Sequence, residues 1–104
     1  MNNLNSLLIE GIVGSDPVVT LSEKGTTICT FTLISKRMFK EDGVSQEDTV
    51  TVTIETWARL AELCGAYCTK GQRIRIVGHL KQNMTNGNIE VLAEHIGFNP
   101  IAKN

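Results

Sequence analysis

Hydrophobic and polar residues alternate along most of the chain, and the breaks in that alternation divide it into short strands and one helix. Over residues 4–13 (LNSLLIEGIV), Leu7, Ile9, Gly11 and Val13 fall at period two, which predicts a strand interrupted by a glycine. Gly14-Ser15-Asp16-Pro17 is a turn signal, and 18–21 is a short β-rich piece ended by Glu23-Lys24-Gly25. Residues 26–36 (TTICTFTLISK) mix Thr with Ile, Cys, Phe and Leu, as strands do. Residues 40–48 are polar, contain Gly43 and read as an exposed loop. Residues 49–57 alternate cleanly. Val50, Val52 and Ile54 share one face, Thr49, Thr51, Thr53, Glu55 and Trp57 the other, so one face is core and the other is wet or in contact.

From Ala58 the period changes. Leu60, Leu63, Cys64 and Tyr67 make one stripe of a short helix, closed by Gly71 with Lys70 complementing its C-terminus. Residues 73–81 (RIRIVGHLK) return to period two, with Ile74, Ile76, Gly78 and Leu80 on one face and Arg73, Arg75, Val77, His79 and Lys81 on the other. Asn86-Gly87 is a strong hairpin signal leading into a last strand over 89–98. Three strands, a helix and a two-stranded hairpin are the layout of an all-β OB-fold. This is a five-stranded Greek-key barrel with one helix between strands 3 and 4, here a single domain over 1–104. Gly11 and Gly78 fit it, since barrels bend or pass close to another backbone at such positions. One helix leaves no room for the repeated crossovers of a parallel α/β fold.

Composition narrows the function. At 104 residues the chain is one domain's worth, and a fold of this size buries roughly two-thirds of its unfolded surface. No run approaches the ~20 apolar residues of a membrane span. The start MNNLNSLL lacks the basic region of a signal peptide, so a cytoplasmic protein is expected. Cys29, Cys64 and Cys68 are an odd number without a C-x2-C pair, which points to core residues rather than a disulfide framework or a zinc site. Motifs for phosphate loops, nucleophile elbows or metal catalysis are absent from the sequence, so neither enzyme activity nor a cofactor or metal is expected.

Ten Lys or Arg against eleven Asp or Glu give a net charge of −1, so what matters is where the charges lie. Cations gather in 36–40 (Lys36, Arg37, Lys40) and 73–81, and acids in 41–48, so the two signs look segregated. Arg73, Arg75, His79 and Lys81 fall on one strand face. They repel one another unless water or a polyanion covers them, and the row serves either a polyanion or edge protection. Trp57 lies on a polar strand face, either as a stacking platform or as a packed strand-to-helix corner. Phe39 lies beside the 36–40 cations, as a second platform or as a loop anchor. Aromatic faces with flanking cations suit bare nucleic acid, because every base offers a π-face and every phosphate a charge.

These residues sit within a wider pattern. The stretch IETWARLAELCGAYCTKGQRIRIVGHLKQ resembles the signature of bacterial single-stranded DNA-binding proteins, with its W-x-K/R-L-A-E, Y-x-x-K-G and V-x-G-x-L pieces. LNSLLIEGIVGSDPVVT and GTTICTFTL resemble the opening and second strand of the same family, and the likeness runs from about Leu4 to Phe98. The resemblance implies an OB-fold homotetramer, with a homodimer as fallback, that wraps single-stranded DNA in replication, repair and recombination, close to the nucleoid. It implies base stacking at Phe39 and Trp57, and phosphate contacts from Lys36, Arg37, Arg59, Arg73 and Lys81, to which the strand pattern adds Arg75. The sequence departs from the family where Thr51 replaces a usual aromatic. It departs again where the arm between the last two strands is cut to Asn83-Met84-Thr85-Asn86-Gly87, leaving Met84 as the nearest apolar substitute. An acidic tail that recruits replication and repair proteins is not seen before the end at Ile101-Ala102-Lys103-Asn104. The alternative is a tail-less OB-fold interaction module similar to the primosomal replication protein, bridging replication proteins on DNA.

Overall fold

A computed structural model describes residues 2–98. The elements are β1 (Leu7–Val13), β2 (Val18–Leu21), β3 (Thr27–Glu41), β4 (Val44–Trp57), α1 (Ala58–Tyr67), β5 (Arg73–Gln82) and β6 (Ile89–Phe98). The sheet runs in the order β1-β5-β6-β4-β3-β2, and β1 also pairs with β3, so the sheet closes. All pairings are antiparallel except β4 with β6. Both β1 and β2 pair with β3, so they are two halves of one bent first strand. Counted so, the fold is the five-stranded OB barrel with one helix after its third strand.

Inward side chains of every long strand fill the barrel: Val13, Phe31, Leu33, Ile54, Ile74, Ile76 and Val91 are buried. Each such side chain contributes about 1.5–3 kcal/mol by leaving water. Helix α1 packs on β3 and β4 with Ala61 and Cys64, and Cys68 follows at its C-cap. The expected stripe is rotated by this packing. Tyr67 is 65% exposed and small Ala61 lies buried instead, which lets the helix sit close on the sheet. The helix also stops early, at Tyr67. Gly71 (φ 93°) belongs to the turn into β5 and donates its N–H to the Val13 carbonyl at 2.8 Å.

All three thiols are buried, and Thr56 Oγ1 beside them donates to the Cys29 carbonyl at 2.9 Å. Burial pushes the Cys29 thiol up to about 11. The hydrogen bond between the Cys64 and Cys68 side chains lowers Cys64 and raises Cys68.

Two loops differ from expectation. Residues 40–48 are not a loop: β3 and β4 pair from Ile28–Trp57 out to Glu41–Val44. The turn is Asp42-Gly43, both left-handed at φ 53° and 77°, as a two-residue hairpin turn of type I′ requires. Both faces of this arm are exposed, so it carries no apolar alternation, and Val50 is exposed rather than core. The β5–β6 connection is longer than an Asn-Gly turn. It spans 83–88 and is held by Asn83, whose side-chain oxygen accepts from the Thr85 N–H at 2.8 Å and whose carbonyl accepts from Gly87 at 2.7 Å.

Close backbone approach explains the two strand glycines. A Cβ at Gly11 would run into the Ile34 carbonyl, and one at Gly78 into the Leu92 carbonyl, beside the irregularity between Val77 and Gly78. Gly11→Ala and Gly78→Ala should each cost about 3 kcal/mol in urea melts, because backbone must move. Gly97→Ala, whose added carbon meets nothing nearer than 3.9 Å, should stay within about 0.5 kcal/mol. A second expectation follows from Cys29, whose folded pKa of about 11 is raised. The native state holds the proton longer than the unfolded chain, so stability is intact below the ordinary thiol pKa and falls as pH rises towards 11. Melting from pH 8 to pH 11 should show this loss, and Cys29→Ala should flatten that limb.

Candidate nucleic-acid interface

Strand register places the outer face of the barrel. Ile12 pairs with Arg73 on one side and Ile34 on the other, and Ile34 pairs with Thr51. Paired residues in neighbouring strands point the same way, so Arg73, Ile12, Ile34 and Thr51 form one row across β5, β1, β3 and β4. Lys36 and Thr49 make the next rung on β3 and β4. An open groove of about 340 Å³ runs along this row, lined by Glu10, Gly11, Ile12, Ile34, Lys36 and Arg73. Arg73 has no carboxylate within ion-pair distance among the described residues, and Lys36 reaches Glu47 only at 4.0 Å.

Trp57 stands on the same face, six residues along β4 from Thr51 and so roughly 20 Å from that row. It is the last residue of β4 and the N-cap of α1, with Ala58 turning the chain at φ 58°. Trp57 is 41% exposed, so the corner position does not hide it. An open cleft of about 450 Å³ beside the indole is lined by Ser22, Glu23, Lys24 and Thr26 of the β2–β3 turn. On the sheet side its Nε1–H donates to the carboxylate of Glu55, a residue that is only 8% exposed. Lys81 Nζ binds the same carboxylate at 3.2 and 3.4 Å.

The cationic row of β5 is therefore not a bare stripe. Arg75 is held by Glu10 at 2.6 Å, His79 Nδ1 lies 2.6 Å from Glu94, and Lys81 is held by Glu55. Acids of β1, β4 and β6 supply the counter-charge that the strand alone lacks. Nor are the signs of 36–48 segregated. The hairpin folds the acidic half onto the basic half, pairing Arg37 with Asp48 at 3.2 Å.

Phe39 lies on the arm opposite Gln46, half-buried rather than tucked against the barrel. Alternation puts it, with Arg37, on the opposite face of the β3–β4 ribbon from Trp57, and Arg37 covers its ring at 4.9 Å. Along the ribbon it lies eleven rungs from Trp57, about 36 Å. Arg59 is exposed on the first turn of α1. The structure thus gathers Arg73 and Lys36 into one groove, sets Trp57 and Lys24 at one end of the face, and leaves Phe39 and Arg37 on the arm. Glu55 and Lys24 escaped the sequence reading. A carboxylate two residues before Trp57 in an otherwise threonine row was the available signal for Glu55.

Fold and face together define an OB-fold protein with a polar outer sheet bearing an open tryptophan and cations. The chain belongs to the single-strand binding protein family, whose family model matches residues 4–98. It is 38% identical over 80 residues to single-stranded DNA-binding protein 1 of Synechocystis sp., covering 76% of this chain and 63% of that one. It is 33% identical over 86 residues to single-stranded DNA-binding protein 1 of Chlorobaculum tepidum, covering 82% and 53%. The chain thus spans less than two thirds of the length of these curated relatives. Among solved structures, its fold is similar to that of Plasmodium falciparum SSB in complex with ssDNA, with a TM-score of 0.83 at 19% identity over 96% of this chain and 98% of that one. A deletion mutant of the Thermus aquaticus single-stranded DNA-binding protein superposes with a TM-score of 0.79 at 26% identity, covering 89% of this chain and 49% of that one.

Proposed function

We propose that the protein binds single-stranded DNA without sequence preference, as a non-catalytic coat in replication, repair and recombination. The observation that carries this reading is the open indole of Trp57 on the same face as the Arg73–Lys36 groove. Family membership and relatives named for single-stranded DNA binding support it. Bases stack on Trp57 and, farther along the strand, on Phe39. Arg73, Lys36 and Arg59 meet phosphates directly, Arg37 and Arg75 do so by exchanging an exposed carboxylate partner, and Lys81 stays largely committed to Glu55. The whole chain acts as one domain and assembles with itself, as a homotetramer or a homodimer. Exposed Leu4, Leu8, Val18, Val19 and Leu21 on and around the first strand are apolar surface for that assembly.

Among the described residues no helix is long and apolar enough to cross a membrane. The end at Ile101-Ala102-Lys103-Asn104, on which the expectation about an acidic tail rests, lies outside the described residues.

Trp57 is the only tryptophan, so its fluorescence reports alone. Oligo-dT should quench it, and Trp57→Ala should weaken binding by about 1–3 kcal/mol with the fold retained. Phe39→Ala should weaken binding by a smaller amount, because Arg37 already occupies one ring face, and should leave the quench intact. No quench and unchanged affinity would return Trp57 to a purely structural corner. Salt dependence tests the cations separately: Arg73→Ala should lower the slope of log affinity against log salt by about 0.7. Lys81→Ala should lower it by less, since its charge is already committed to Glu55.

A further inference from the structure

We infer that Glu55 is a positioning residue, a buried carboxylate that locks the Trp57 indole in the orientation in which its face is open. The inference rests on the reading of Trp57 as a stacking platform. The last four outward positions of β4 before Trp57 are Thr49, Thr51, Thr53 and Glu55, so an acid follows three hydroxyls immediately beside the aromatic residue. Positions two apart on a strand share a face, which brings the carboxylate to the indole edge. A carboxylate on a side chain that is only 11% exposed carries a large desolvation cost unless charged and polar donors surround it. Here the donors are Trp57 Nε1–H and Lys81 Nζ, the latter reaching across from β5.

Lys81 supplies the opposite charge, and Glu55 passes the restraint on to the ring. A charge-assisted hydrogen bond at Nε1 fixes the two side-chain torsions of Trp57 before any ligand arrives. A base then stacks on a ring whose immobilisation has already been met in folding, so less affinity is lost to ordering. The arrangement also separates two jobs. Lys81 is spent on holding Glu55, and phosphate contact falls to Arg73 and the cleft lysine Lys24, which have no carboxylate within ion-pair distance among the described residues, and to Lys36, whose Glu47 lies 4.0 Å away.

Removing Glu55 alone would also remove a negative charge near DNA and confound the affinity. Glu55→Met with Lys81→Met leaves net charge unchanged and keeps the volume. In that double variant the fast initial loss of Trp57 fluorescence anisotropy should increase without DNA. Affinity for dT oligomers should fall about 3- to 10-fold, the worth of one hydrogen bond. Glu55→Gln keeps an oxygen acceptor for the indole and should hold the anisotropy near that of the native protein. With Trp57→Phe, which has no ring N–H, the same pair of changes should alter affinity by less than about twofold. Should the double variant fail to fold, exchange of the single indole N–H with solvent in the native protein decides instead. Slow exchange supports the clamp, and exchange as fast as a free indole overturns it, as does unchanged anisotropy in a folded double variant. If the native protein fails to bind dT, the proposed function falls, while anisotropy and exchange still judge the clamp.

Discussion

Closure of the barrel at β1 is the constraint on which the rest of the structure depends. A strand can satisfy its backbone groups on two sides only if two partners approach it, and β1 meets β5 over most of its length before turning to β3. The two backbones come together at Gly11 beneath the Ile34 carbonyl, where a side chain would hold them apart. That approach puts Ile12 between Arg73 and Ile34 and so creates the row that carries the basic groove. A core packed this tightly transmits strain, so a larger residue at Gly11 would displace that row together with the fold.

The cations divide by the burial of their partners. Exposed pairs such as Arg75–Glu10 and Arg37–Asp48 contribute roughly 0–1 kcal/mol, so a phosphate can replace the carboxylate at small cost. The pair Lys81–Glu55 sits deeper, with the Glu55 side chain only 11% exposed, and breaking it leaves a buried charge. A chain with net charge −1 can therefore still present usable cations, because the acids that hold Arg75 and Arg37 are surface partners that yield. The near-neutral balance says little against a polyanionic ligand.

What could be read in the sequence was whatever a buried face imposes. Ile54, Ile74, Ile76 and Leu33 alternate because one side of each strand is core, and Gly11 and Gly78 stand out because no side chain fits there. The arm of β3 and β4 was not legible by that signal, since both of its faces meet water and period two loses its apolar half. Its one local cue was Asp42-Gly43, a pair suited to a turn with both residues left-handed. Helix α1 misled for a related reason: Tyr67 fits a helical stripe by hydrophobicity, but the close contact with β3 selects Ala61. Of the candidate site, the residue types were visible and their partners were not. Glu10, Glu55 and Glu94 reach Arg75, Lys81 and His79 from other strands, and such pairings exist only once the barrel has closed.

Local backbone geometry at the end of β4 sets where Trp57 stands. Its backbone is shared by two elements, ending β4 and capping α1 without a side-chain hydrogen bond to the helix N-terminus. Ala58, left-handed at φ 58°, turns the chain sharply at that point, and such a conformation costs an alanine about 1–2 kcal/mol. Packing of Ala61, Cys64 and Cys68 beneath the helix holds the turn in place. The helix is thereby drawn onto the barrel end, away from the outer face, and the indole is left at the edge where the sheet stops. Backbone strain thus fixes where the ring stands, and the Glu55 carboxylate fixes how it is turned.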